Sequence, residues 1–287
     1  MQWNNAKNLM LVFFVLVNVL LFVIARQEAS GHTLTREREN AIQMVFAQNN
    51  INMYHPIPRH FAPMRPLRIA GYDYDIDRLL LMFFPPGAVI AHTEGINRDE
   101  FVSGDRQLVI SHGDIFFISG LNNEGTPDQD AAIALTQAFI REHYPDFRLD
   151  TQSTRVARRG GLRIFYRQEY QGHLIHTSFV EFLVTGQEDD LIIEEVDIHY
   201  GRSMGFAYMY REIAGPDEAL LTFVQNIRRL RDDPVLITNM DIAFVYFQNV
   251  LGSRDAYTSV YAYPFYRIFI EGQDEPFLIN AYSNQMQ

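Results

Sequence analysis

The apolar and polar positions divide this chain into a long apolar opening and a longer region where helical and strand periods alternate. Leu9 to Ala25, LMLVFFVLVNVLLFVIA, is apolar throughout except for Asn18. As a helix rising ~1.5 Å per residue it is about 26 Å long, close to the ~30 Å hydrocarbon core of a bilayer. The run predicts one membrane span over 9–25, preceded by a leader over 1–8. A secretory signal has a shorter apolar core of ~7 to 15 residues with small residues directly behind it. Here Arg26, Gln27 and Glu28 intervene before Ala29-Ser30-Gly31, so the run reads as a retained anchor. Charge alone does not orient it, because only Lys7 precedes it while Arg26, Arg36 and Arg38 follow. A leader this short stays readily in the cytoplasm, and long domains translocate largely regardless of charge. The expected arrangement is a single-pass protein of the cell membrane, N-terminus cytoplasmic and the bulk extracytoplasmic.

Behind the anchor, Leu34, Ala41, Ile42, Val45 and Phe46 share one helical face, with Thr35 as cap and Asn49-Asn50 as stop. Four prolines from Met53 to Pro66, at 56, 58, 63 and 66, exclude helix and predict an extended segment. Strand-like runs follow at Leu67–Tyr74, Leu79–Phe84, Glu100–Ser111 and Asp114–Ser119, with His112-Gly113 as a two-residue hairpin turn. Gly120 to Gly125 reads as a linker. Thr126-Pro127-Asp128-Gln129 then opens a helix that runs to about His143 and buries Ala131, Leu135, Ala138 and Phe139.

Leu162–Tyr170, His173–Thr185 and Leu191–Tyr200 predict an antiparallel meander. A further helix starts at Gly215-Pro216, carries Leu220, Phe223, Val224, Ile227 and Leu230 on one face, and stops before Pro234. The closing strands fall near Ile237–Phe247, Ala256–Ala262, Tyr266–Glu271 and Phe277–Tyr282. The expected fold class is therefore α+β: one N-terminal transmembrane helix, then a β-rich ectodomain of antiparallel sheets with packed helices. Its halves, membrane-proximal 26–125 and C-terminal 126–287, each run helix then meander.

Composition narrows the chemistry. The 287 residues contain no cysteine, which removes disulfides, thiolate metal sites and cysteine nucleophiles. A formal charge of -11 argues against nucleic acid as a partner. Asp73, Asp75 and Asp77 have the spacing of a calcium loop, but Arg78 replaces its glycine and Phe84 its final glutamate, so they read as a polar turn. His173 and His176 fall on opposite faces of a strand, which argues against a metal. His55 and His60 flank prolines and suggest no chemistry. Gly160-Gly161 reads as a turn, and Glu194, Glu195 and Asp197 as a solvated face. Hydrolase elbow, phosphate loop, dinucleotide fingerprint and zinc-protease motif are all missing from the sequence. The expectation is a non-enzyme with no cofactor and no metal, and some of the tyrosines as a binding surface.

Several short motifs are similar to the YycI family, membrane-anchored regulators of the WalK–WalR (YycG–YycF) two-component system of Gram-positive bacteria. They are Met1-Gln2-Trp3 with Ala6-Lys7-Asn8, the Asn18-containing Phe14–Leu21, Asn49-Asn50-Ile51 before the proline segment, Pro264-Phe265-Tyr266-Arg267-Ile268 and Ile279-Asn280-Ala281. Tyr266 stands where the family pattern has Trp, and Leu9-Met10 where Thr or Ile is usual. The resemblance implies a mixed α/β ectodomain and regulation without catalysis. It implies contact with a WalK-like sensor histidine kinase and a YycH-like partner, in control of cell-wall metabolism. The residues of the anchor expected to touch the kinase are Asn18, whose amide seeks a partner in hydrocarbon, and Leu11, Phe14 and Leu21 on its face. The alternative is an anchored extracytoplasmic ligand- or peptide-binding module, which a deep apolar cavity with convergent polar groups would favour.

Overall fold

A computed structural model describes residues 7, 10–11, 13–20, 32–71, 74–121, 125–157, 160–187, 190–231, 233–247 and 259–287. Residues 13–20 of the apolar run are helical and expose Phe13, Phe14, Leu16 and Leu20. The rest of the expected span, 9, 12 and 21–25, lies outside the described residues, Leu21 with it. Among the described residues no helix is long and apolar enough to cross a membrane.

Beyond residue 32 the chain is α+β. Helices α1 (Arg36–Gln48), α2 (Ile76–Phe83), α3 (Gln129–His143) and α4 (Pro216–Leu230) pack on a large, mostly antiparallel sheet. Its strands are β1 (Ile51–Met53), β2 (Leu67–Ala70), β3 (Ala91–Gly95), β4 (Arg98–Ser103), β5 (Arg106–Ser111), β6 (Asp114–Ile118), β7 (Phe147–Leu149) and β8 (Arg155–Val156). They continue as β9 (Leu162–Tyr170), β10 (His173–Thr185), β11 (Ile192–His199), β12 (Arg202–Phe206), β13 (Val235–Val245), β14 (Ser259–Ile270), β15 (Phe277–Asn280) and β16 (Gln285–Met286). The main path runs β12-β2-β14-β13-β10-β11-β6-β5-β4-β3.

Two lobes divide this path. In one, α1 and α4 cover β13, β14 and β15, burying Phe46, Leu220, Phe223, Ile237, Ile268 and Ile279. Full burial of each such side chain contributes about 1.5–3 kcal/mol. Arg38 of α1 grips Asp217 of α4 with two hydrogen bonds of 2.7 and 2.8 Å. A Cβ at Gly215 would lie 2.6 Å from the Asp217 carboxylate and 2.8 Å from the Arg38 guanidinium, so any larger N-cap residue of α4 would displace the ends of that ion pair. In the other lobe, α2 and α3 cover β4–β6 and β9–β11 around Phe83, Leu108, Phe117, Ile164, Phe182 and Ile198.

Most of the expected elements are present, and the exceptions have local causes. Leu79–Phe84 is helical rather than extended. Asp75 accepts a hydrogen bond from the Arg78 amide as N-cap; within the helix Leu79 and Phe83, four apart, are buried, and Phe84 is its buried C-cap. A short unbroken apolar run carries no period that separates the two structures. Glu100–Ser111 is split by a turn at Gly104, whose φ of 61° suits glycine. Asp128, not Thr126, caps α3, and its buried stripe is Ala132, Thr136 and Ile140, one position on from the expected one. The two strands expected on either side of Tyr263 are one strand, β14. The Pro264 carbonyl accepts from the Ala281 amide, so its nitrogen points to that same edge, between the β2 and β15 pairings, where no ladder bond is needed. Helix α4 and the β9–β11 meander stand as expected, although Leu230 is exposed.

The lobes meet where β10 runs parallel to β13, at Ile175 and Phe244. Beneath that contact lies a buried ionic cluster. Arg267, fully buried on β14, clasps Asp241 of β13 at 2.7 and 2.6 Å and reaches Asp150 of the other lobe at 2.9 Å. Arg167 of β9 meets the same Asp150 oxygen at 3.2 Å and also donates to the His176 carbonyl. Burial alone would raise the Asp150 pKa, but the charges of Arg267 and Arg167 override it and hold it below the usual range. Burial lowers both arginines as well; Asp241 and Asp150 outweigh it at Arg267, whereas at Arg167 Asp150 and Glu275 do not, because the charge of Arg267 adds to the burial. A half-buried cluster joins β11 to β6, where His199 meets Asp114 at 2.9 Å and Asp197 at 3.2 Å. Burial opposes protonation of this imidazole, yet the hydrogen bonds to Asp114 and Asp197 prevail and push its pKa up to about 9.

Arg267→Met leaves Asp150 and Asp241 without their shared cation and should cost about 3–5 kcal/mol in urea unfolding. A loss below about 1 kcal/mol, the size of a surface pair, would show that the cluster does not tie the lobes. His199, raised in the folded state, lends stability that is complete below its unfolded value of ~6.5 and is lost as pH rises through about 9. His199→Gln should flatten that part of the stability profile, and an unchanged slope would contradict the assignment.

Candidate functional site

Among the described residues, the joint between the lobes leaves part of one edge of β13 without a ladder partner. On one side β13 pairs with β14 from Ile237 to Val245. On the other it meets β1 over Val235–Ile237 and β10 at Phe244. From the stretch between these contacts, Met240, Asp241 and Ile242 line a cavity of about 670 Å³. Small-ligand sites span ~300–1,000 Å³, so this one is of ordinary size.

Its roof is the proline segment, residues 58–65. Pro58, Pro63 and the following Pro66 keep the backbone extended. Two bridges pin it at either end, His60 to Thr33 and Met64 to Arg211. The opposite wall comes from Phe206 and from Tyr210 and Ile213 in the loop between β12 and α4. The hairpin tip between β9 and β10 adds Gln171, with φ of 49°, and His173. Phe61, Met64, Phe206, Ile213, Ile242 and Phe244 make most of the surface apolar.

The polar groups are few and individually placed. Asp241 faces the cavity already neutralised by Arg267. Tyr266 donates to the Ala214 carbonyl at 2.7 Å. His173 stands edge-on to Phe206 and Phe244, and burial lowers its pKa. Burial thus favours the neutral ring, which has one donor and one acceptor nitrogen. Arg65 lies over the rings of Phe206 and Tyr210, 5.2 and 4.8 Å from their centroids. Among the described residues it has no carboxylate partner.

The residues singled out in the sequence are dispersed. His173 lines the cavity while His176 is buried on the other face, its Nδ1 3.4 Å from Arg267. Among the described residues no three His, Asp or Glu side chains converge as metal ligands. Asp75 caps α2, and Asp73 lies outside the described residues. Glu195 pairs with Arg163 and Asp197 with His199, so these are half-buried ion pairs and not a solvated face. His60 lies in the cavity roof, whereas His55 is exposed and outside it. In the apolar opening run, Leu11 and Phe14 are exposed, and the Asn18 side-chain amide donates to the Phe14 carbonyl at 2.7 Å. Arg65, Phe206 and Ile242 carried no signal in the sequence, because nothing local relates three segments so far apart in the chain. The proline run and the tyrosines near 208–210 were the nearest hints.

No protein-family model matches the chain, and no curated protein does either. Among solved structures it is similar to an uncharacterized protein from Eubacterium rectale ATCC 33656, whose crystal structure is at 1.45 Å resolution. The TM-score is 0.50 at 8% identity, covering 83% of this chain and 88% of that one. At that identity the likeness shows the fold alone.

Proposed function

We propose that the chain is a non-catalytic, membrane-anchored regulator that holds a ligand in the cleft between its lobes. In this reading residues 9–25 span the membrane once, the N-terminus is cytoplasmic and the lobes lie outside. The observation that carries it is the cleft, apolar over most of its surface with a few convergent polar groups. Ligand sites commonly have that composition. The titratable groups there suit binding better than proton transfer: Asp241 is committed to Arg267, and His173 stands edge-on to Phe206 and Phe244.

The similarity of the sequence to YycI regulators supplies the partners, a WalK-like sensor histidine kinase in the membrane and a YycH-like protein. Asn18 spends one N–H on Phe14 inside its own helix, which leaves its oxygen and second N–H to meet a neighbouring helix. Leu11 and Phe14 would join Asn18 in that contact, together with Leu21, which lies outside the described residues. Occupancy of a cleft between two lobes alters their separation, and a coupling of about 1–3 kcal/mol changes the kinase equilibrium ~5- to 150-fold.

The second reading is a peptide-binding module without a kinase partner. The open edge of β13 between its β1 and β10 pairings favours it, since an extended peptide adds a strand to such an edge.

Asn18→Leu should reduce co-purification with the kinase about 3- to 30-fold, and undiminished recovery would sink the anchor contact. Ile242→Trp fills the cleft; it should abolish the effect on kinase autophosphorylation while co-purification persists. Regulation that survives the filled cleft would remove the cleft as the input.

A further inference from the structure

We propose that the cleft takes a small amphiphile, an apolar chain ending in a carboxylate, with Arg65 as the counter-charge at its mouth. The inference rests on the cleft being a ligand site and adds what that ligand must be.

Arg65 lines the cavity and, among the described residues, has no carboxylate partner. Acidic residues outnumber Lys and Arg by 35 to 24; Arg106 donates to the Phe83 carbonyl and Arg211 lies over the Tyr282 ring, while others are taken up by carboxylates. Arg38 holds Asp217, Arg155 reaches Asp274 and Glu275, Arg163 holds Glu181, and Arg167 and Arg267 share Asp150. Arg65 is half-buried and engages aromatic faces instead. Stacking uses the face of a guanidinium and leaves its in-plane N–H fork, the geometry that grips a carboxylate with two hydrogen bonds.

Charge at the cleft favours an anion for a second reason. Asp241, the carboxylate lining the cavity, is held in a two-bond clasp by a fully buried arginine and so does not repel an incoming acid. The neutral His173 ring adds an N–H donor without adding charge.

The remainder of the cavity selects for an alkyl chain. Phe61, Met64, Phe206 and Ile213 offer no hydrogen bonds, and a peptide threaded there would have to satisfy every amide at the single β13 edge. An alkyl chain has no such groups. At the mouth, Tyr208 and Met209 are 101% and 75% exposed beside Tyr210, an apolar landing for a molecule arriving tail first.

The test uses the full chain in nanodiscs of zwitterionic lipid, with octanoate, octanol and octylammonium as probes and empty nanodiscs subtracted. Calorimetric affinity and the thermal midpoint are both read. Octanoate should bind about tenfold more tightly than octanol, with octylammonium weakest. Arg65→Gln should bring octanoate down to the octanol level and leave octanol unchanged, with Arg65→Lys in between. Equal affinities of octanoate and octanol in the unsubstituted chain would overturn the carboxylate while the cleft stands as a ligand site. Silence from all three probes would overturn both. Octanoate binding that survives Ile242→Trp lies elsewhere and also overturns the proposal. Should Arg65→Gln fail to fold, the ranking of the three head groups in the unsubstituted chain and in Arg65→Lys decides alone.

Discussion

Arg267 is the constraint on which the two-lobe arrangement depends. A guanidinium with no solvent exposure is tolerable only if its donors are met by charge, and the two carboxylates that meet them come from different lobes. Asp241 reaches it across the β13–β14 ladder, and Asp150 from just beyond β7. Any movement that separates the lobes would strand a buried charge, so the relation of β10 to β13 is held by electrostatics at a place where the ladder itself contributes one paired position. Arg167 and the Ser153 hydroxyl complete the satisfaction of Asp150, which keeps the cluster electrically balanced.

The cleft follows from that geometry. Because β1 leaves β13 after Ile237 and β10 joins it only at Phe244, the sheet has a notch where the lobes meet. The proline segment cannot fill it as a helix or as a paired strand and passes over it as a roof. The same acid that lines the notch, Asp241, anchors Arg267. A ligand there would therefore touch the element that fixes the lobes, which gives occupancy a direct route to the joint.

What was legible in the sequence divides by range. Helices α1 and α4 announced themselves by period and by caps at Thr35 and Gly215-Pro216, and the β9–β11 meander by alternation and its Gln171-Gly172 turn. Errors fell where local patterns are degenerate. The run around Leu79–Phe84 is too short and too uniformly apolar to show a period, and Asp128 competes with Thr126 for the same cap. Pro264 looked like a break because its effect depends on which edge its nitrogen faces, and that edge is decided by β2 and β15.

By itself the sequence determined an apolar opening run, an α+β class, the absence of thiol chemistry and a strongly acidic surface. These depend on composition and on contacts within a few residues. Tertiary structure alone decided that Arg267, Asp150 and Asp241 share one buried cluster, and that Arg65 rests on Phe206 and Tyr210 above a cavity. Such juxtapositions join residues with no local relation in the chain. Only the order in which strands enter a sheet brings them together, and no periodicity along the sequence encodes that order.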